Sequence, residues 1–320
     1  MPWSKYLNRY STVSLKEEIM KKDFLALHDL SSKEIADLLK RSIDLKSGKD
    51  KSACPLIGKS IGMIFEKPST RTRVSFETGI YQLGGNAICL NSSELQLGRG
   101  ETLADTARTL SRYLNGLVIR TFEHSIVEEF SLNSSIPVIN GLSDLHHPCQ
   151  ILADLMTIYE KKRKLKGIKM AYIGDGNNVC NSLISAAALM EFDLTVACPE
   201  GFEPDAKILE AAKSSAKSEI IILRDPKEAA GMADVVYTDV WVSMGQENSS
   251  TSKKNKLKDY QINSKLLSCS KKDVIVLHCL PAHRGEEITD EVMDGPNSVV
   301  FDQAENRLHT QKALLELLIK

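Results

Sequence analysis

No apolar run in this chain approaches the ~18 residues that a membrane-spanning helix needs, so insertion through a helix is not expected. Charge of one sign is lacking as well: 41 basic against 42 acidic side chains leave a formal net charge of -1. That balance excludes the broad basic field of a nucleic-acid binder, and an anionic ligand would have to be held by a local pocket. The seven cysteines (Cys54, Cys89, Cys149, Cys180, Cys198, Cys269 and Cys279) are odd in number and include no CxxC pair. A disulfide framework and a metal ribbon are both poor readings of them, and a reducing compartment fits better. The pattern GxxxxGK[ST] is missing too, which argues against nucleotide hydrolysis. The first residues, MPWSKYLNRYSTVSLK, lack acids and carry Lys, Arg and Ser. They read as a polar N-terminus, with the cytoplasm as the expected location and the mitochondrial matrix as the alternative.

What is present is ordinary for a globular chain: 320 residues, 42% hydrophobic, enough for two domains with a core in each. Helical and strand patterns alternate, which predicts an α/β protein of two domains, each a mostly parallel sheet flanked by helices. Ser31 with Glu34 three residues on is a capping box, followed by Ile35, Leu38, Leu39 and Ile43 on one helical face. Residues 58–65 read as a strand, and a helix follows that ends near Gly84. A helix over 101–116 would put Leu103, Ala107, Leu110 and Leu114 on one stripe and stop at Gly116. Strands are expected at 117–120, 136–140, 168–174, 194–199, 233–239 and 273–279. A helix begins after Pro148 and ends on a basic run, KKRK, best read as a solvated helix terminus. The polar stretch SSTSKKNKLKD, 249–259, reads as a loop, and the chain closes with a helix over 305–320.

Several short segments carry chemistry. In EKPSTRTRVSFE, residues Ser69, Thr70, Arg71, Thr72 and Arg73 set three hydroxyls and two guanidiniums at a strand-to-helix turn stiffened by Pro68. The free N–H groups and positive dipole end there suit a phosphate. GDGNNV, 174–179, opens like a dinucleotide fingerprint but has Val179 in place of the third glycine, and the next strand ends without an acid, so NAD binding is not expected. HHPCQ, 146–150, sits where a loop enters a helix. DVWVSMG, 239–245, and HCLPA, 278–282, each follow a strand, so Asp239 and Cys279 stand at the carboxyl ends where open α/β sheets bind ligands.

STRTRVSFE resembles the phosphate-binding signature of the aspartate and ornithine carbamoyltransferases, and HHPCQ, DVWVSMG and HCLPA match the ornithine branch in order and spacing from about Phe24 onward. The resemblance implies an enzyme with no metal and no cofactor that transfers the carbamoyl group of carbamoyl phosphate to L-ornithine, giving citrulline, an arginine-biosynthesis type of step. It implies a carbamoyl phosphate-binding domain over 1–147, an ornithine-binding domain over 148–303, a C-terminal helix over about 304–320 returning to the first, and an active site in the crevice between them. The implied carbamoyl phosphate ligands are Ser69, Thr70, Arg71, Thr72, Gln96, Arg120, His147, Gln150, Cys279, Leu280 and Arg307. Gln96 would come from a neighbouring copy in a homotrimer, or a multiple of one, with shared sites. Asn178, Asp239, Ser243 and Met244 would hold ornithine. His147 and Arg120 would stabilise the carbonyl oxygen as it becomes an oxyanion, and Cys279 with Asp239 would orient the amine and help it lose its proton.

Overall fold

A computed structural model describes residues 21–49, 54–66, 69–91, 100–242 and 250–320. Pro68, Gln96, Ser243 and Met244 therefore lie outside the described residues. The first part of the chain runs α1 (Ser32–Lys46), β1 (Ser60–Phe65), α2 (Thr70–Gln82), β2 (Asn86–Asn91), α3 (Leu103–Leu110), β3 (Gly116–Arg120), α4 (His124–Asn133), β4 (Val138–Leu142) and α5 (Pro148–Lys162). It continues with β5 (Lys169–Ile173), α6 (Asn178–Met190), β6 (Asp193–Ala197), α7 (Ala206–Ser215), β7 (Ile220–Leu223), α8 (Pro226–Ala230) and β8 (Val235–Thr238). Then come α9 (Ser250–Leu257), α10 (Ser264–Leu267), β9 (Ile275–His278), α11 (Asp290–Met293) and α12 (Val300–Leu318).

Two parallel sheets result, ordered β2-β1-β3-β4 and β7-β6-β5-β8-β9. In the first, the chain leaves β1 toward β2 and later reaches β3 on the other side. In the second, it leaves β5 toward β6 and returns to β8 on the other side. Each sheet thus has one switch point, between β1 and β3 and between β5 and β8, where the loops diverge and leave a crevice at the carboxyl ends. That topology selects the segments 66–72 and 120–124 in one sheet and 174–178 and 239–242 in the other.

The helix α5 joins the two halves. Every residue from Pro148 to Ile158 is buried, because the helix is packed on both sides rather than on one face. Leu152, Leu155 and Met156 share one apolar cluster with Met63 and Phe76 of the first half and Tyr172 and Leu183 of the second. The basic end of α5 stays at the surface, where Lys161 pairs with Asp302 and Lys162 with Asp273. The last helix, α12, starts beside β9 and then lies against α1, α2 and α5.

Four local expectations are corrected. The helix expected to stop at Gly116 ends at Leu110, where the Ser111 hydroxyl bonds back to the Ala107 carbonyl at 2.7 Å and meets Ser134, and Gly116 opens β3 instead. The strand expected over 136–140 runs from Val138 to Leu142, since Phe24 and Asp23 hold the backbone N–H groups of Asn140 and Val138. Within the stretch expected as a loop, residues Ser250–Leu257 form helix α9, anchored by Lys253 to Asp175 and Lys254 to Glu286. The closing helix begins at Val300, earlier than the periodicity predicts. Among the described residues, no helix is long and apolar enough to cross a membrane.

Candidate active site

At the end of the first sheet, Ser69 caps α2 by accepting the Thr72 N–H at 3.3 Å, which leaves Thr70 and Arg71 in the first helical turn. The first N–H groups of such a helix have no partner within it and carry the positive end of its dipole. Arg120 ends β3 at an irregularity: Ile119 pairs with Asn140 but Arg120 pairs with Leu142, so Gly141 is the extra residue. The bulge turns the Arg120 side chain toward α2. A Cβ at Gly141 would lie 3.2 Å from the Ile119 carbonyl and 3.6 Å from the Thr72 methyl, which keeps this approach to glycine. Arg120 Nη1 and Arg307 Nη2, the latter from α12, both donate to the buried Thr72 hydroxyl, at 3.3 and 2.9 Å.

Three guanidiniums therefore converge here, and among the described residues none of Arg71, Arg120 and Arg307 has a carboxylate partner. Arg120 Nε and Arg307 Nε are buried without a hydrogen-bond partner among the described residues. Burial and the neighbouring Arg307 bring the Arg120 pKa down to about 10. Burial also lowers Arg71 and Arg307, while Cys279 pulls both back up and Asp239 does the same for Arg71. Cationic donors gathered this way are unfavourable alone and favourable around an anion.

Between the sheets, His147 caps the start of α5, with Pro148 at its first position. Its backbone N–H is held by the Ser182 hydroxyl at 2.9 Å. Burial, then Arg307, Arg120 and Arg71, push its imidazole well below the usual histidine range, so the ring is neutral and offers one N–H as a donor. Gln150, one turn on, accepts from Arg307 Nη1 at 3.0 Å through its Oε1.

At the end of the second sheet, Asp239 follows β8 and is buried. Its Oδ2 accepts from Asn177 Nδ2 at 2.7 Å, and its Oδ1 accepts from the Cys279 thiol at 2.8 Å. Asn177 Oδ1 caps α6 by accepting the Val179 and Cys180 N–H groups, and it also accepts the Tyr172 hydroxyl at 3.1 Å. A Cβ at Gly176 would fall 2.3 Å from the Pro204 nitrogen, so only glycine allows this turn to close. The Cys279 thiol is pushed well above its usual range, first by burial and then by Asp239, so it is a donor and not a thiolate. Burial also raises Asp175, whose carboxylate is nonetheless paired with Lys253. Leu280 has φ 60°, and its N–H donates to His278 Nδ1 at 2.9 Å. Asp239, His278 and Cys279 set their ligand atoms within 4.8 Å of one another, a metal-compatible cluster. Both ring nitrogens of His278 are already engaged, however, Nδ1 by Leu280 and Nε2 by the buried Glu287 at 3.0 Å.

Of the expected site residues, Arg71, Thr72, Arg120, His147, Gln150 and Arg307 lie together at the first sheet end. Asp239, Cys279 and Leu280 lie together at the second. Asn178 sits at the edge of that group with its Nδ2 on the Ser143 carbonyl at 2.6 Å. The sequence reading missed Asn177. The signal available was an asparagine directly before the first turn of a predicted helix, the usual place of an N-cap.

Two family models match the chain: the carbamoyl-P binding domain of aspartate/ornithine carbamoyltransferase over residues 22–160, and its Asp/Orn binding domain over residues 166–318. The chain is 57% identical over 302 residues to the ornithine carbamoyltransferase of Syntrophus aciditrophicus (strain SB), covering 94% of this chain and 100% of that protein. It is 55% identical over 303 residues to that of Methanosarcina acetivorans, again with 94% and 100% covered. The solved ornithine carbamoyltransferase from Pyrococcus furiosus superposes with a TM-score of 0.90 at 49% identity, over 93% of this chain and 97% of that one.

Proposed function

This chain belongs to the aspartate/ornithine carbamoyltransferase family, and from that premise we propose how its two sheet ends share the transfer of a carbamoyl group from carbamoyl phosphate to ornithine. The phosphate lies at the N-terminus of α2 on Ser69, Thr70, Arg71 and Thr72. The carbamoyl carbonyl oxygen points to Arg120 and His147, and the carbamoyl NH2 to Gln150 Oε1. Arg307 spans both parts, and Leu280 and Cys279 close the site from the second sheet. Ornithine enters last. Its α-ammonium faces Asp239, its backbone groups face Asn178 and the N–H groups of Ser243 and Met244, and its side-chain amine faces Cys279.

The amine has a lysine-like pKa near ~10 and attacks only as the neutral form. Desolvation in the crevice favours that form. Attack turns the carbonyl oxygen into an oxyanion, and removing one such donor in other enzymes typically costs about 10²–10³-fold in rate. The intermediate collapses with phosphate leaving, and the phosphate accepts the second proton. Citrulline and phosphate are the products. The observation that carries this reading is the convergence of three guanidiniums without carboxylate partners on a helix N-terminus, close enough to Asp239 and Cys279 for those groups to shift Arg71.

The same proposal divides the chain at residues 147 and 148, with 304–320 returned to the first domain. The sheets support it, β1 to β4 falling before that point and β5 to β9 after it. A homotrimer, or a multiple of one, with Gln96 reaching a neighbouring site also belongs to it. Its support is apolar exposure on the first domain: Ile57 in the turn before β1, Val74 and Tyr81 on α2, and Ile88 on the edge strand β2. We place the enzyme in the cytoplasm, a reducing setting that suits seven free thiols, and in arginine biosynthesis.

The test is the purified protein with carbamoyl phosphate and, separately, ornithine, putrescine, acetylornithine and aspartate, with the ureido product measured. Citrulline from ornithine in preference to the others is expected. Product from another acceptor would overturn the assignment of the second sheet end.

A further inference from the structure

Asp154 has no part in the mechanism above, yet it is fully buried on α5 one turn beyond Gln150, where i and i+4 side chains meet. Its Oδ1 accepts the Nε2 amides of both Gln150, at 2.8 Å, and Gln303, at 2.7 Å. Its Oδ2 has no hydrogen-bond partner among the described residues. Gln303 also donates to the Tyr237 hydroxyl at 3.1 Å and accepts the His278 backbone N–H at 2.9 Å, next to Cys279. A carboxyl costs free energy in an interior that an apolar side chain could fill, so a chemical use is expected of it.

The use follows from the shape of an amide. A glutamine side chain fits equally well with its oxygen and nitrogen exchanged, so only its partners decide which atom faces the site. When ionised, Asp154 can only accept, which fixes the Gln150 nitrogen inward and turns Oε1 toward Arg307. We propose that Asp154 is a positioning residue for carbamoyl transfer: it locks the Gln150 amide so that Oε1, and not the NH2, faces the NH2 of the carbamoyl group. Gln303 ties that lock to the strand end bearing Cys279. The inference rests on Gln150 being a carbamoyl ligand. Burial pushes Asp154 up to about 7 against the pull of Gln150, Gln303, Tyr237 and Arg307, while Cys279 faces it from the end of β9. An ionised carboxyl grips amide donors harder than a neutral one, so the lock tightens as pH rises through that value.

The experiment is steady-state kinetics of four full-length variants across pH. Asp154→Asn keeps the shape and removes the charge. It should lower kcat/KM for carbamoyl phosphate by roughly 10–100-fold, with KM for ornithine moving less than about twofold. The limb of kcat/KM that rises with pH should also vanish. Gln303→Glu keeps an acceptor for the His278 N–H but takes a donor from Asp154, and should move that limb to higher pH. In a Gln150→Ala background, adding Asp154→Asn should cost nothing more. A Gln150→Ala enzyme near wild-type activity would sink the ligand assignment and the proposal with it. An impaired Gln150→Ala whose loss adds fully to that of Asp154→Asn would sink the proposal alone. Should Asp154→Asn not fold, Gln303→Glu decides: an unmoved limb overturns the lock.

Discussion

The two sheet ends that face each other solve opposite problems. The first gathers Arg71, Arg120 and Arg307 around α2 and, among the described residues, gives them no acid to neutralise them and leaves buried guanidinium nitrogens without partners. In the second, Asp239, Asn177, Cys279 and Tyr172 are linked to one another by hydrogen bonds of 2.7, 2.8 and 3.1 Å. One end is incomplete as protein and is stabilised by an anion. The other presents groups already held in place by one another. The difference teaches that binding free energy at the first end is set by charge, and at the second by geometry kept ready in advance.

If that contrast is right, activity and stability should separate at the first end and travel together at the second. Replacing Arg71 with Ala should reduce turnover by roughly 10³-fold or more, while the melting temperature stays level or rises because a cation leaves a like-charged cluster. A clear drop in melting temperature would break the contrast. Inorganic phosphate should stabilise the wild type, by about 2.7 kcal/mol at a hundredfold its Kd, and should do so far less in the Arg71→Ala protein. Differential scanning calorimetry with and without phosphate reads this directly. At the second end, Asn177→Ala should cost stability, about 1 kcal/mol for the lost helix cap alone, together with a raised KM for ornithine. A variant that loses only one of the two would show that Asp239 does not depend on this amide.

A pH-dependent effect is expected beside the site, at His146. Burial, with His124 and His28 close by, brings its pKa down to about 3 from 6.5. Below pH 6.5 the unfolded chain takes up a proton there that the folded one refuses. Stability is thus lost as pH falls from 6.5 toward 3, by up to about 1.4 kcal/mol per pH unit. Asp154 acts with the opposite sign, since a raised carboxyl pKa means stability lost as pH rises from 3.8 toward about 7. Urea unfolding at pH 6.5 and pH 5 should therefore show less acid destabilisation in His146→Gln than in the wild type. An identical loss in both would mean that His146 is not protonated on unfolding.

Much of this was legible in the chain because it was local. The Ser31 and Glu34 box and the Pro148 start depend on neighbours within four residues, and both hold. The parallel α/β arrangement follows from alternating periodicities, and both switch points coincide with the segments read as chemical. What the sequence conceals depends on contacts far along the chain. Edge strands β2 and β7 have mixed, half-buried patterns that no periodicity separates from a loop. The choice between Asn177 and Asn178 turns on the exact register of the α6 cap. The Asp154–Gln303 contact joins residues 149 positions apart, so Asp154 reads only as an odd acid in an apolar helix. The short helix α9 has only Leu257 as a buried apolar anchor and is otherwise held through Asp175 and Glu286, with no apolar stripe along it.

The path of α12 has a mechanical consequence. The chain passes between the two sheets once after α5 and a second time through α12, which starts at β9 and finishes among α1, α2 and α5. The two crossings also pack along each other, so the halves are joined by a paired-helix spine rather than by one length of backbone. Cutting the chain after Asn297 would dismantle that spine and remove Gln303 and Arg307 in one step.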